Sequence, residues 1–478
     1  MTAGCSITFD AGTLLVRGDE DALAPVREFL LFDERTKCYR AEACSYSAMI
    51  RALTAAGIPI DDKARNYRNL SLTLHSPHTP MSHQLTALRA WNQSKRRGVV
   101  VMPTGSGKTF FAFMAMKAVQ RSSLIVVPTI DLLHQWASQL ERAFGEEIGM
   151  LGGGSRDIRD ITVSTYDSAV LRMDSIGDKF GLVVFDECHH LPGPVNRLAA
   201  SLCLAPYRLG LTATPESGSE EGAEESLAIL KKVLGPVVYR VNIDELEGTV
   251  LATYVTRRIQ VELTPEESRA YQEARRKYIN FIRSAGIDFR DRNAWSRFAA
   301  LCFRRPGGRE VFDAFLTQRT IARCGSGKLT VLWKIVRENP GARILIFTAD
   351  NGTAYRIGEL LCLPVITHKT KAAERKEFLD SFRSGEYPVL VTSKVLNEGV
   401  DVPEANIAIV VSGSGSIREH VQRLGRILRR TAEGKQAVLY ELVSAGTSEM
   451  SVSERRRNHR AYQTLRHLPL RGEGPASC

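Results

Sequence analysis

The chain has 478 residues, 44% hydrophobic and 24% charged, which is typical of a folded globular protein with more than one core. No apolar run reaches the roughly 18 residues that a membrane-spanning helix needs, and no secretory signal is recognisable, so we expect a cytoplasmic protein without membrane association. The formal net charge of +11 favours a polyanionic partner such as nucleic acid.

The nine cysteines are scattered along the sequence, and no two of them form a CxxC pair. This spacing argues against a zinc ribbon or an iron–sulfur cluster. An odd number of cysteines without a disulfide framework fits a reducing compartment, and we interpret them as small buried hydrophobic residues.

In chain order, residues 1–75 are predicted to form a small α/β module. The run TLLV at 13–16 is typical of a strand, and the apolar spacing from Tyr46 to Leu53 predicts a helix that ends near Gly57. The proline-containing stretch HSPHTP at 75–80 is the expected connector to the next domain.

Strand and helix patterns alternate over 80–250 and again over 326–450. Unbroken apolar runs rich in β-branched residues are typical of strands buried on both faces of a parallel sheet. These runs lie at 98–102, 124–127, 182–185, 209–212, 343–347, 388–392, 407–411 and 437–440. Their alternation with helices predicts an α/β fold with two doubly wound parallel sheets.

The segment 264–325 interrupts this alternation, because it is helix-like and rich in arginine. Its basic run Arg275, Arg276 and Lys277 is predicted to contact nucleic-acid phosphates. Trp295 and Phe298 are candidates for stacking on bases, with the alternative that both belong to the core of a helix pair. A basic tail is predicted over 451–478.

The sequence MPTGSGKT at 102–109 follows a predicted strand and opens a predicted helix, which is the context of a phosphate-binding P-loop. Lys108 would reach the β- and γ-phosphates of ATP, and the Thr109 hydroxyl would bind Mg²⁺. The alternative is a glycine turn with a chance lysine. The residues predicted to surround the nucleotide here are Thr104, Gly105, Ser106, Gly107, Lys108 and Thr109.

The sequence DECHH at 186–190 directly follows the strand run at 182–185. A carboxylate at the carboxyl end of a parallel strand lies where such sheets bind ligands. We therefore predict that Asp186 holds Mg²⁺ and that Glu187 orients and deprotonates the attacking water. An Asp-Glu pair without a P-loop would instead indicate a solvated turn.

The sequence QRLGRILR at 422–429 predicts a helix with Arg426 and Arg429 on one face. Two guanidinium groups on one face suit the charge that develops on a transferred phosphoryl group. The second sheet domain has no P-loop of its own, so we predict that these arginines act on ATP held by the first. Otherwise the face would be a solvated basic surface.

These motifs together resemble superfamily 2 helicases, and in detail the XPB-type helicases and their bacterial relatives. Further matching stretches complete an ordered set that extends over about 80–430. They are IVVPT at 125–129, VSTYD at 163–167, LTATP at 211–215, IFTAD at 346–350, ITHKT at 366–370 and SKVLNEGVDVP at 393–403.

The resemblance implies two RecA-like domains that use ATP and Mg²⁺ to move 3′ to 5′ on single-stranded or forked DNA, in DNA repair or processing. It implies that segment 264–325 is a thumb-like insertion and that FDERTKCYRA at 32–41 belongs to a DNA-recognition module. The residues that it adds are Gln84 and Gln422 for ATP and Thr129, Thr165 and Thr392 for the phosphate backbone.

The segment after LTATP departs from the family pattern. XPB-type helicases usually carry an Arg-Glu-Asp triplet there, whereas this chain has PESGSEEG at 215–222. The resemblance therefore implies ATP hydrolysis and leaves open whether the protein unwinds a duplex or only translocates. Two alternatives remain, an RNA helicase and a partner-dependent remodeller that works with a nuclease, since prokaryotic XPB-like helicases are associated with a partner nuclease.

Overall fold

The computed structural model describes residues 4–215, 220–246, 254–289, 291, 293–393, 405–412 and 437–457. The chain divides into two compact units, Met1–Asn242 and Ile243–Cys478. Among the described helices, none combines the length and the apolar character needed to cross a lipid bilayer.

The first unit begins with a small module of one sheet and two helices. Its elements are β1 (Cys5–Asp10), β2 (Thr13–Arg17), α1 (Glu20–Leu23), β3 (Leu31–Asp33), β4 (Cys38–Glu42), α2 (Tyr46–Ala55) and β5 (Ile60–Asp62), in the sheet order β3-β4-β2-β1-β5. Ala11 and Gly12 have positive φ and join β1 to β2 in a tight antiparallel hairpin. The predicted α/β character of this module is confirmed.

The rest of the first unit is built on an eight-stranded sheet. Its strands are β6 (Arg97–Val101), β7 (Ser123–Val127), β8 (Ile148–Gly152), β9 (Ser155–Arg156), β10 (Ile161–Thr165), β11 (Leu182–Phe185), β12 (Tyr207–Thr212) and β13 (Val237–Arg240). The order is β13-β6-β12-β11-β7-β10-β8-β9, and the pairs are parallel apart from β8 with β9. This is the doubly wound parallel arrangement that the sequence predicts.

Helices alternate with these strands. They are α3 (Ser82–Gln93), α4 (Lys108–Val119), α5 (Ile130–Phe144), α6 (Tyr166–Ile176), α7 (Arg197–Ser201) and α8 (Glu220–Val233). The helix α4 is buried along most of its length because residues 111–116 are all apolar, and a helix that is apolar on every side needs protein around it. The P-loop therefore leads into a rigid central helix.

The second unit contains a six-stranded sheet, parallel throughout its described pairs. Its strands are β14 (Tyr254–Val261), β15 (Ile344–Phe347), β16 (Val365–Ile366), β17 (Val389–Thr392), β18 (Ile407–Val410) and β19 (Ala437–Ser444), in the order β14-β19-β18-β15-β17-β16. The same unit contains the helices α9 (Ile243–Leu246), α13 (Ser326–Glu338), α14 (Asn351–Leu361), α15 (Ala372–Ser384) and α16 (Ser448–Arg457). A second parallel sheet confirms the predicted fold class.

Three helices lie between β14 and α13, as the sequence predicts for this segment. They are α10 (Pro265–Ala285), α11 (Ala294–Arg304) and α12 (Gly308–Cys324). Thr264 caps α10, and Glu267 completes a capping box with it. Phe298 is 0% exposed at the centre of an aromatic cluster, with the rings of Tyr278 and Phe315 at 5.6 and 5.7 Å. The insertion thus has its own small core.

Candidate functional site

The predicted ATP residues gather at one edge of the eight-stranded sheet. The P-loop follows β6, Asp186 follows β11, and Thr212 ends β12, which lies between them in the sheet. Because these strands are parallel, their carboxyl ends share one edge, where doubly wound sheets bind their ligands.

The P-loop has the backbone conformation of a phosphate cradle. Gly105 and Gly107 have φ values of 86° and 84°, in the left-handed region that favours glycine. A Cβ at position 107 would lie 2.4 Å from Gln84 Nε2, so a larger residue there would displace the Gln84 amide. The Thr104 hydroxyl oxygen is buried and has no hydrogen-bond partner in the part of the chain that the structure describes. The loop therefore has a polar group that a phosphate oxygen would satisfy.

Two side chains of α3, Gln84 and His83, contact backbone carbonyl oxygens of the P-loop. Gln84 Nε2 donates to the carbonyl oxygens of Ser106 (3.3 Å) and Gly107 (3.2 Å), and Gln84 Oε1 accepts from the Met81 N–H at 3.0 Å. His83 Nε2 lies 2.9 Å from the same Ser106 oxygen. The structure thus shows Gln84 clamping the loop, while its predicted contact with ATP stays a prediction. His83 was missed, because nothing in its spacing reveals this contact.

Lys108 and Glu187 face each other inside the site. Lys108 Nζ donates to the Met102 carbonyl at 3.3 Å and lies 3.8 Å from Glu187 Oε1. Their side chains are only 10% and 13% exposed. Glu187 has a φ of 47°, and a non-glycine residue in this region stores strain on the order of 1–3 kcal/mol, as functional sites often do. The structure therefore brings together Lys108 and Glu187, two of the four residues predicted to be catalytic.

Asp186 is buried, and each of its carboxylate oxygens accepts one hydrogen bond. Its Oδ1 accepts the Glu187 N–H at 3.0 Å, and its Oδ2 accepts the Nε1–H of Trp136 at 2.9 Å. Burial, reinforced by the charge of Glu187, raises the pKa of Asp186 above its usual value. A carboxylate with a raised pKa gains from a nearby cation, and Mg²⁺ would reverse the shift. The Asp186 carboxylate and the Thr109 hydroxyl, in the first turn of α4, are the hard oxygen ligands that Mg²⁺ prefers.

His189 links the acidic motif to the LTATP motif. Its Nδ1 lies 3.0 Å from Thr212 Oγ1 and 3.4 Å from Glu187 Oε2. Thr212 Oγ1 in turn donates to the Thr214 carbonyl. One buried imidazole therefore lies between the Glu187 carboxylate and the last residue of β12. The motif DECHH contains His189, but its partner Thr212 lies 23 positions away and cannot be identified from the sequence.

The threonines predicted to contact nucleic acid are helix caps or are buried. Thr129 caps α5 by accepting the Leu132 N–H, and Thr165 caps α6 by accepting the Ser168 N–H. Thr392, at the end of β17, is 0% exposed, and its hydroxyl donates to the Ser393 carbonyl. Thr129 and Thr165 thus lie at helix N-termini, which attract phosphates, whereas Thr392 has its hydroxyl directed into the protein.

The predicted basic run on α10 does not form one free patch. Arg275 Nη1 donates to the Tyr271 hydroxyl at 3.4 Å, and Lys277 pairs with Glu273 at 3.2 Å, while Arg276 is exposed. Of the two stacking candidates in the insertion, Phe298 belongs to the core and Trp295 is 47% exposed. Of these two candidates, Trp295 is therefore the one whose ring is accessible to solvent.

Three predicted site residues, Gln422, Arg426 and Arg429, lie outside the described residues. The same holds for 394–403 of the SKVLNEGVDVP motif and for 216–219 of the segment after LTATP. Their predicted roles stay predictions from the sequence.

Three family models match successive parts of the chain. They are the xeroderma pigmentosum group B helicase damage recognition domain over 7–64, the type III restriction enzyme res subunit over 77–217, and the ERCC3/RAD25/XPB C-terminal helicase over 328–466. The second covers the P-loop and the acidic pair, and the third covers the sequence QRLGRILR at 422–429.

Curated relatives share most of this length. The "DNA 3'-5' translocase XPB2" of Sulfurisphaera tokodaii is 39% identical over 91% of this chain and 97% of its own length. The "DNA 3'-5' helicase XPB" of Mycobacterium tuberculosis is 31% identical over 77% of this chain, which spans only 61% of that relative. Saccharomyces cerevisiae Dbp5, solved with RNA and ADP BeF3, has a TM-score of 0.56 over 81% of this chain and 89% of its own, and at 14% identity it shows a shared fold.

Proposed function

Because the chain belongs to the XPB family of superfamily 2 helicases, we propose that it is an ATP-driven motor that moves 3′ to 5′ on DNA. The observation that carries the proposal is the placement of Lys108, Asp186 and Glu187 at one sheet edge beside a P-loop with an unsatisfied Thr104 hydroxyl. Phosphoryl transfer needs these four groups: a loop that binds the phosphates, the cation of Lys108, the base Glu187 and the metal-binding carboxylate of Asp186.

In this proposal the loop and α4 hold the nucleotide. The backbone N–H groups around Gly105 and Gly107, together with the N-terminus of α4, bind the phosphates. Lys108, held at 3.3 Å from the Met102 carbonyl, neutralises the β- and γ-phosphates. Gln84 and His83 keep the loop in this shape from behind.

The two acidic residues have different proposed roles. Glu187 orients and deprotonates the attacking water, and its strained backbone fixes the carboxylate between Lys108 and His189. Asp186 and Thr109 would hold Mg²⁺, which supplies positive charge to the phosphate oxygens when bound.

We propose that the phosphates of the nucleic acid bind at the N-termini of α5 and α6. The strands that precede these helices, β7 and β10, are adjacent and parallel, so both helix N-termini lie on the same sheet edge as Asp186. Phosphate contacts there are independent of base sequence, as a motor requires. In the insertion, Arg276 is the candidate for a phosphate contact, and the exposed ring of Trp295 is the candidate for stacking on a base.

A tethered-streptavidin assay tests the motor and its direction without requiring duplex unwinding. The full chain with ATP should displace streptavidin from a 5′-biotinylated DNA strand much faster than from a 3′-biotinylated one, and the Lys108→Ala variant should displace neither. Displacement from RNA as fast as from DNA would favour the RNA helicase alternative. Equal rates from both DNA ends would contradict 3′ to 5′ movement.

A duplex with a 3′ single-stranded tail separates a helicase from a translocase. Strand separation would show unwinding without the Arg-Glu-Asp triplet that residues 215–222 lack. Streptavidin displacement without strand separation would show translocation alone. The nuclease partner that the family resemblance suggests remains a separate proposal, tested by co-purification from the source cells.

A further inference from the structure

Two aromatic side chains that the sequence did not single out donate hydrogen bonds to Asp186. Trp136 of α5 is 2% exposed, and its Nε1–H donates to Asp186 Oδ2 over 2.9 Å. Tyr166 of α6 is 4% exposed, and its hydroxyl donates to the Asp186 carbonyl over 3.0 Å. Each of the two helices therefore sends one buried donor to the proposed magnesium ligand.

The same two helices begin at the threonines proposed to meet DNA. Thr129 caps α5, and Trp136 follows about two helical turns later. Thr165 caps α6, and Tyr166 is the first residue of that helix. Because the three strands β11, β7 and β10 are consecutive neighbours in the sheet, both caps and Asp186 lie along one edge. The arrangement connects two helix N-termini that attract anions to one residue, Asp186.

Both rings pack against other elements of the site. The Trp136 ring meets Phe113 of α4, the P-loop helix, edge-on at 6.0 Å. The Tyr166 ring lies 6.0 Å from Phe185, at the end of β11, and 5.8 Å from His190. Close-packed interiors transmit small displacements because they contain little free volume. A shift of α5 or α6 would therefore move Asp186.

We propose that Trp136 and Tyr166 are positioning residues that couple DNA binding at the starts of α5 and α6 to the orientation of Asp186. A phosphate bound at each helix N-terminus draws that helix into one position. The Trp136 bond to the carboxylate and the Tyr166 bond to the backbone carbonyl then fix the position of Asp186 for Mg²⁺ and ATP. This inference rests on the proposed function, and it assigns the DNA sensitivity of the ATP site to two specific bonds.

Conservative variants isolate these bonds. Trp136→Phe keeps an aromatic ring against Phe113 and removes the indole N–H, and Tyr166→Phe removes only a hydroxyl. Matched controls exist in the same unit, since buried Trp91 donates to the Arg208 carbonyl at 3.0 Å and buried Tyr46 donates to Asp62 at 2.5 Å. Trp91→Phe and Tyr46→Phe therefore delete the same donors away from Asp186.

The readout is an equilibrium coupling factor measured on the full chain. The affinity for a fluorescein-labelled single-stranded DNA is measured by anisotropy, with and without Mg²⁺ and a non-hydrolysable ATP analogue, and the ratio of the two dissociation constants is the factor. Coupled sites typically show factors of about 5–150, and the nucleotide affinity must change with DNA by the same factor. ATP turnover with and without DNA is measured in parallel.

Trp136→Phe and Tyr166→Phe should bring the coupling factor close to one and remove DNA stimulation of turnover, while both controls keep the wild-type values. Should Trp136→Phe fail to fold, Tyr166→Phe alone decides. If both site variants keep the wild-type factor while DNA still binds and stimulates turnover, this inference is overturned and the proposed function stands. A wild-type chain that binds no DNA would overturn both.

Discussion

Lys108 and Glu187 form an ion pair at 3.8 Å with both side chains largely shielded from water. Charges in such surroundings interact more strongly than on a surface, so each one partly satisfies the other. Phosphate oxygens would compete with Glu187 for the lysine and leave the carboxylate available to a water molecule. The pair therefore holds both side chains close to their proposed places.

Replacement of Lys108 by Ala should lower ATP turnover by roughly 10²- to 10³-fold, the loss expected when one transition-state donor is removed. Folding should survive, because the lysine contributes no apolar surface to the core of the sheet. The control is Lys117→Ala, in the last turn of the same helix and exposed. Turnover near the wild-type rate in Lys108→Ala would show that this lysine does not serve the reaction.

Glu187→Gln should bind ATP and then hydrolyse it slowly, with turnover reduced about 10²- to 10⁴-fold, because the amide keeps the shape and loses the base. Binding is measured with a fluorescent ATP analogue and turnover by phosphate release, with the exposed Glu141→Gln as control. A variant that binds no nucleotide would indicate instead that Glu187 supports the site structurally.

The sequence predicts the residues of this site whose spacing is local. Lys108, Thr109, Asp186 and Glu187 belong to short runs next to predicted strands, so their meeting at one sheet edge follows from the parallel fold. His83, Trp136 and Tyr166 act through contacts with residues more than 15 positions away in sequence. No periodicity marks such tertiary partners, and only the structure identifies them.

At the scale of elements, the strands that the sequence predicts are those with unbroken apolar runs, such as β7 and β11. The strands β8 and β10 were not predicted, because the glycines of IGMLG and the alternating polar residues of ITVST break the apolar run. The strand β14 was missed because Arg257 and Arg258 interrupt its pattern, although it pairs along eight residues with β19.

The proposed DNA contact of the insertion predicts a change in salt dependence. Each phosphate contact on a single strand contributes about 0.7 to the slope of log affinity against log salt, so Arg276→Glu should flatten that slope by roughly this amount. The control is Lys334→Glu on α13, an exposed cation paired with Glu338. An unchanged slope in Arg276→Glu would place α10 away from the DNA.

At the scale of the whole molecule, the prediction that most depends on two domains concerns Arg426 and Arg429. Arg426→Ala or Arg429→Ala should leave ATP binding largely intact and reduce turnover about 10³-fold or more, because an arginine finger acts on transition-state charge. Binding and turnover are measured separately, with the exposed Arg337→Ala as control. Equal losses of binding and turnover would argue against a finger role.

The most direct test of movement on DNA is ATP turnover by the full chain without nucleic acid, with single-stranded DNA, and with RNA of the same sequence. A DNA motor of the XPB family should hydrolyse ATP faster with DNA than without it, respond much less to RNA, and lose DNA-stimulated turnover in Glu187→Gln. Turnover that is unaffected by DNA, or raised equally by RNA, would contradict the claim that this protein converts ATP hydrolysis into movement on DNA.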